Sequence, residues 1–113
     1  MTGASKRKGD QGEREAAALI QDLLGVPARR KLGAGRLDDC GDIDGVPDTT
    51  VQVVSRTTDV VAVGVVRKPT EVEAQARHAG TTFAATFLRV RGGTWRVVLT
   101  PEQWATLWRE ATG

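Results

Sequence analysis

From Thr81 to Leu99 the chain reads TTFAATFLRV, then RGG, then TWRVVL. Two runs rich in β-branched and aromatic residues meet at a glycine-bearing turn, which is a β-hairpin signal. This hairpin limits the fold more than any other stretch, because helical patterns lie on both sides of it. Before it, Pro69 suits the first turn of a helix that runs to His78 or Ala79 and stops at Gly80. After it, Thr100, Pro101 and Gln103 mark a helix start, and Trp104, Leu107, Trp108 and Ala111 recur at helical spacing. Strands bracketed by helices fit neither a helical bundle nor a barrel.

The first half adds elements of both kinds. A helix is expected from Asp10 to Gly25, with Asp10 as cap and Glu13 three residues on. Ala16, Ala17, Leu19, Ile20, Leu23 and Leu24 form its apolar stripe. Glu13 projects onto that stripe, and Glu15 points away to solvent. Residues 1–9, which include Lys6, Arg7 and Lys8, read as a flexible basic arm. Pro27 to Leu32 reads as a strand, 33–41 as a loop and Asp42 to Val46 as a short strand. A turn at Pro47 and Asp48 leads into a further strand from Thr49 to Ser55. Alternation puts Gln52 and Val54 on one face of that strand, and Val51 and Val53 on the other. The run from Thr57 to Val66 is open between strand, by its β-branched content, and a short helix capped by Asp59. The expectation is an α/β protein: a central mixed sheet flanked by helices, forming one domain over 10–113. A length of 113 residues suits a single core.

Several function classes drop out. No run of about 18 apolar residues exists to span a membrane. The N-terminus has no apolar signal core, and the single cysteine, Cys40, allows no internal disulfide. These features suggest the cytosol. No G-x-G-x-x-G joins a strand to a helix, so a dinucleotide site is not indicated. The net charge is only +2, but the cations cluster. Arg29, Arg30, Lys31 and Arg36 flank a loop, and Arg89, Arg91 and Arg96 surround the hairpin turn. Such clusters suit a polyanion, although each also reads as ordinary solvated charge. Two Phe, three Trp and no Tyr give little platform for base stacking.

The acidic residues sharpen this. Glu13 on the first helix, and Asp42 and Gln52 on neighbouring strands, can converge on one point. Mg²⁺ takes oxygen ligands and keeps several waters, so one or two carboxylates with a carbonyl oxygen can hold it beside a phosphate. Phosphodiester hydrolysis uses such an ion to polarise the phosphate and to make hydroxide at neutral pH. A nearby lysine then adds positive charge where the transition state is negative. Each residue also has a plainer reading. Glu13 can complete a capping box with Asp10, Asp42 and Asp44 can end a loop, and Gln52 can be a surface strand residue.

The ordered set resembles the archaeal-type and phage Holliday junction resolvases of the PD-(D/E)xK nuclease superfamily. KGDQGEREAAALIQDLLG, with Lys8, Gly9, Glu13 and Arg14, is similar to the family's opening helix. RRKLGAG looks like its strand and small-residue loop. GDIDG stands at the family's P-D-I, with Gly41 in place of proline and Asp42 kept. VQVVSR occupies the E-x-K strand. The pattern EAQARHAGTTFAATFLRVRGGTWRVVLTPEQWATLW resembles actinobacterial phage members. The likeness spans about residues 8 to 109. It implies a restriction-endonuclease-like fold, a metal-dependent endonuclease acting on branched or double-stranded DNA, and a symmetric homodimer in a bacterial or phage-infected cell. Glu13, Asp42, Gln52 and the carbonyl of Val53 would hold Mg²⁺, with Mn²⁺ as a substitute. Lys8, Arg14, Arg30, Lys31, Arg36, Arg56 and Lys68 are the expected DNA contacts. A helix glutamine of the family corresponds to Gln75.

Two positions depart from the family. Gln52 stands where glutamate is common, and its amide oxygen can still ligate. Val54 stands where the lysine belongs, and valine offers neither charge nor hydrogen bond. Three accounts fit the sequence. The charge comes instead from Arg56 or Lys68, as happens in other superfamily members; or a lysine has been deliberately replaced; or the protein is a weakened or inactive nuclease that still binds branched DNA. Of the remaining residues, His78 suits a helix C-terminus. Trp104, Trp108 and Trp95 are expected in the core or at a dimer face.

Overall fold

A computed structural model describes residues 3–31, 41–55 and 57–113, with side chains from residue 11 onward. The chain forms α1 (Gly3–Leu24), β1 (Arg29–Arg30), β2 (Ile43–Asp44), β3 (Thr49–Val54), a π-helix (Val60–Arg67), α2 (Lys68–Ala79), β4 (Phe83–Val90), a short 3₁₀ turn (Arg91–Gly93), β5 (Thr94–Val98) and α3 (Pro101–Thr112). The strands lie in the order β1-β2-β3-β4-β5. All neighbours are antiparallel except β3 and β4, which run parallel from Thr49 beside Phe83 to Val54 beside Leu88. A parallel pair needs a crossover, and the π-helix with α2 supplies it. The protein is therefore α/β, with a five-stranded mixed sheet between helices, as the sequence predicts at that level.

The two faces of β3 explain the layers. Val51 packs with Ala17 and Ile20 of α1 and with Ile43 of β2. Its neighbour Gln52 reaches the opposite side and meets Gln75 of α2. Val72 and Ala76 of α2 pack on Ala84 of β4 on that second side. Helices α1 and α2 thus cover opposite faces, as period-two alternation requires.

Several local expectations change. Helix α1 begins at Gly3, so the arm expected at 1–9 is helical from that residue and Asp10 lies inside the helix. An interior residue cannot cap, and the capping-box reading of Glu13 falls away. Glu15 does not project freely into solvent; its Oε1 accepts from Arg89 Nε of β4 at 3.1 Å. Within the run 57–66, the chain forms a helix from Val60 onward and not a strand. Asp59 caps it by accepting from the Ala62 N–H at 2.9 Å, and packing on the sheet outweighs the β-branched preference. The final helix starts with a full capping box between Thr100 and Gln103. Its apolar stripe is not core. Trp104 is 58% exposed and Trp108 54%, while Gln103 is the buried residue. Leu23 and Leu24 at the end of α1 are exposed as well. An apolar groove lined by Ile20, Leu24, Phe87, Val97 and Leu107 stays open between α1, the sheet and α3. Among the described residues, no helix is long and apolar enough to cross a membrane.

Candidate active site

Beyond the carboxyl end of β3 the chain leaves a cavity of about 370 Å³. Open α/β sheets commonly place ligand sites at such strand ends. Glu13, Asp42, Gln52, Val53, Val54 and Lys68 all line it, together with Ser55, Thr57, Val63 and Arg67. Residues singled out on α1, just before β2 and on β3 therefore line one cavity.

Local geometry explains how each arrives there. Gly12 is buried against Ser55, and a methyl group at Gly12 would overlap the Ser55 side chain. The missing side chain lets α1 lie against the end of β3, which carries Glu13 to the cavity. Gly41 has φ +97° and sits on the Val51 carbonyl of β3. Proline fixes φ near −65°, so it cannot take this conformation, and glycine is the residue that suits it. Asp42 follows at once. Its backbone N–H donates to Val51 O at 2.7 Å, and its Oδ2 accepts from the Val53 N–H at 2.9 Å. The carboxylate is thereby tied to the strand that carries Gln52.

Gln52 is buried, and its Nε2 donates to Gln75 Oε1 at 2.6 Å. With the amide nitrogen so engaged, the amide oxygen is the group left to act as a ligand. Gln75 is buried too, so α2 holds Gln52 from beneath. Thr86, beside Gln52 in the parallel register, is also buried, and its Oγ1 has no hydrogen-bond partner among the described residues. Val54 is 6% exposed and forms an apolar wall of the cavity. Its position agrees with the strand alternation: it faces the same way as Gln52.

The donors are oxygen throughout: two carboxylates, one amide and peptide carbonyls. That set suits Mg²⁺ or Mn²⁺ and not a softer ion. Among the described residues, no three His, Cys, Asp or Glu side chains gather at one place. Here the third member is an amide.

No protein-family model matches the chain, and neither the curated proteins nor the solved structures give a match. The functional reading therefore stands on the site itself.

The cations divide into groups. Lys68 lines the cavity; its Nζ lies 3.1 Å from Glu71 Oε1. Arg30 is on β1 beside Ile43, and the Lys31 N–H donates to Asp42 O at 2.7 Å. Both stand next to the aspartate strand without lining the cavity. Arg14 is exposed on α1 and also outside it. The side chain of Lys8, and Cys40, Arg36 and Arg56 altogether, lie outside the described residues. Arg89 is drawn into its pair with Glu15, and Arg96 donates to the Trp95 carbonyl. His78 is exposed near the end of α2.

Sequence reasoning missed Arg67, which shares Glu71 with Lys68 at 3.1 Å. It also missed Gly12 as a contact residue. The signal was present in the spacing: a small residue immediately before the helix glutamate, within a helix that has a sheet to lie on.

Proposed function

We propose that this protein is a metal-dependent endonuclease that acts on branched DNA, in the manner of the Holliday junction resolvases it resembles, with a restriction-endonuclease-like fold. One observation carries the reading: Glu13 of α1, Asp42 just before β2 and Gln52 of β3 line a single cavity together with the end of β3. Glu13, Asp42, Gln52 and the Val53 carbonyl would hold Mg²⁺ or Mn²⁺. The chemistry a divalent ion supplies in such a place is polarisation of the phosphodiester and activation of water at neutral pH. The chain's own part is orientation. The Val53 N–H fixes the Asp42 carboxylate, and Gln75 fixes the Gln52 amide. Arg30 and Lys31 lie beside the aspartate strand, where they would meet phosphates and read DNA by charge and shape. A homodimer would present two such sites to a near-two-fold junction. The exposed stripe of Trp104, Leu107 and Trp108 supports that assembly.

A second reading has its own support. Val54 places an apolar side chain where a positive one would serve catalysis, which favours a branched-DNA-binding module that does not cut.

Binding separates a DNA partner from none. In Ca²⁺, the protein is expected to shift a four-way junction at lower concentration than a linear duplex of equal length, with affinity falling steeply as salt rises. Calorimetry with Mn²⁺ is expected to give saturable binding that Glu13→Gln weakens. Equal, salt-insensitive affinity for both DNA forms, with no Mn²⁺ binding, would remove the reading.

A further inference from the structure

We infer that Thr86 of β4 is a positioning residue for the metal site: its hydroxyl donates to the Gln52 amide oxygen and aims that oxygen at the ion. The inference rests on the metal site of the nuclease reading, and not on whether the protein cuts. Five polar side chains are buried among the described residues: Thr50, Gln52, Gln75, Thr86 and Gln103. Four of them are paired. Thr50 Oγ1 lies 2.7 Å from Thr81 Oγ1, Gln52 Nε2 donates to Gln75 Oε1, and Gln103 bonds both the Pro69 carbonyl and the Thr100 N–H. Thr86 is the exception. It is 0% exposed, and its Oγ1 has no partner among the described residues. A hydroxyl buried without a partner costs stability, and such a group in a native core points to a role outside packing.

The surroundings of Thr86 say where that hydroxyl can go. Ala84 and Leu88 flank it on the same buried face of β4. Ala84 packs with Val72 and Ala76 of α2, and Leu88 meets Gly64 of the π-helix. Those neighbours are apolar. Across the parallel step, Thr86 stands beside Gln52 of β3. Adjacent strands lie about 4.8 Å apart, and partners in register point to the same side of the sheet. Gln52 is therefore the polar side chain beside Thr86. Rotation about the Thr86 Cα–Cβ bond moves Oγ1 between staggered positions and turns it toward β3.

The Gln52 amide takes this donor on its oxygen, because its nitrogen already donates to Gln75. An amide oxygen has two lone pairs. One accepts from Thr86, and the other serves the cavity that Gln52 lines with Glu13 and Asp42. Gln75 and Thr86 then hold the amide from both ends. That matters for a neutral ligand, which has no charge to draw it to the ion. Metal ligands are commonly fixed by outer hydrogen bonds of this kind.

Substitutions at Thr86 test this, each measured for Tm without metal and for Mn²⁺ binding by calorimetry. Thr86→Val keeps the shape and removes the hydroxyl. It should raise the metal-free Tm, because the partnerless hydroxyl is gone, and weaken Mn²⁺ binding about 10–100-fold. Thr86→Ser keeps the hydroxyl and loses a methyl group. It should lower Tm and bind Mn²⁺ as wild type does. A threonine with only a structural role would not give this crossed pattern, since stability and affinity would fall together. Thr86→Ala, which also lacks the hydroxyl, should bind Mn²⁺ as weakly as Thr86→Val, and it carries the test if the valine chain does not fold. Wild-type Mn²⁺ affinity in folded Thr86→Val or Thr86→Ala would overturn the inference and leave the metal site standing. So would binding by folded Thr86→Ser as weak as that of Thr86→Val. If folded wild type binds no Mn²⁺, the metal site fails, and the role of Thr86 fails with it.

Discussion

Asp48 shows how one side chain closes a turn. It has φ +54°, in the left-handed region that aspartate and asparagine tolerate better than most residues. Its carbonyl accepts from the Phe83 N–H at 3.0 Å, and its Oδ1 accepts from the Thr82 N–H at 2.8 Å. The β2–β3 turn is thus fastened to the start of β4. Hydrogen bonding by the Thr82 side chain, then by its backbone, holds the Asp48 carboxyl below its ordinary value of 3.8. A carboxyl lowered on folding stabilises the native state above its unfolded pKa, and the contribution is lost as pH falls through the lower folded value. Asp48→Asn keeps the turn geometry and removes the titration. Urea midpoints measured at neutral pH and again below 3.8 should therefore differ less in Asp48→Asn than in wild type. Identical acid sensitivity of the two chains would deny Asp48 this role.

The same scale shows what the sequence made legible. Strand alternation placed Gln52 and Val54 on one face, because that periodicity fixes directions without knowledge of the whole fold, whereas the meeting of Glu13, Asp42 and Gln52 was legible only through the resemblance. The Gln52–Gln75 bond was only half visible. A buried amide pair depends on how two elements dock, and neither residue's own neighbours announce it. Glu15 was misread for the same reason: its partner, Arg89, is distant in sequence and close only across the sheet.

At the scale of elements, the contacts of α1 and the π-helix carry the argument. Helix α1 reaches the site because Gly12 lies against Ser55. In a free helix, Gly→Ala is stabilising by about 1 kcal/mol. Here the methyl group meets a neighbouring strand, so Gly12→Ala should lower Tm and reduce cleavage together. A raised Tm would show that α1 does not lie so close to β3. The π-helix was the least legible element. VVAVGVV favours a strand by composition, yet Asp59 caps a helix there, and Gly64 allows it to lie on Leu88. Composition speaks for isolated residues, whereas this segment is decided by what it packs on. The capping box of α3 was legible because its signal is local, Thr100 to Gln103.

For the whole molecule, the sheet order follows the chain order, with one parallel step where the crossover sits. That step places α2 opposite α1 and leaves the carboxyl end of β3 open between them. Of the two places the sequence left open for Trp104 and Trp108, core or dimer face, their exposure removes the core, since an apolar stripe does not say whether its cover comes from the same chain. A homodimer would cover them. Sedimentation equilibrium should give a dimer mass for wild type and a monomer mass for Trp104→Asp/Trp108→Asp; a monomeric wild type would remove the dimer. The central claim is that the cavity at the end of β3 cuts DNA. Its most direct test is single-turnover cleavage of a labelled four-way junction in Mg²⁺ or Mn²⁺ by wild type and by Asp42→Asn, which keeps an acceptor for the Val53 N–H. The account predicts cutting by wild type and none by the folded Asp42→Asn chain. Equal cutting by both, or none by wild type in either metal, would contradict it.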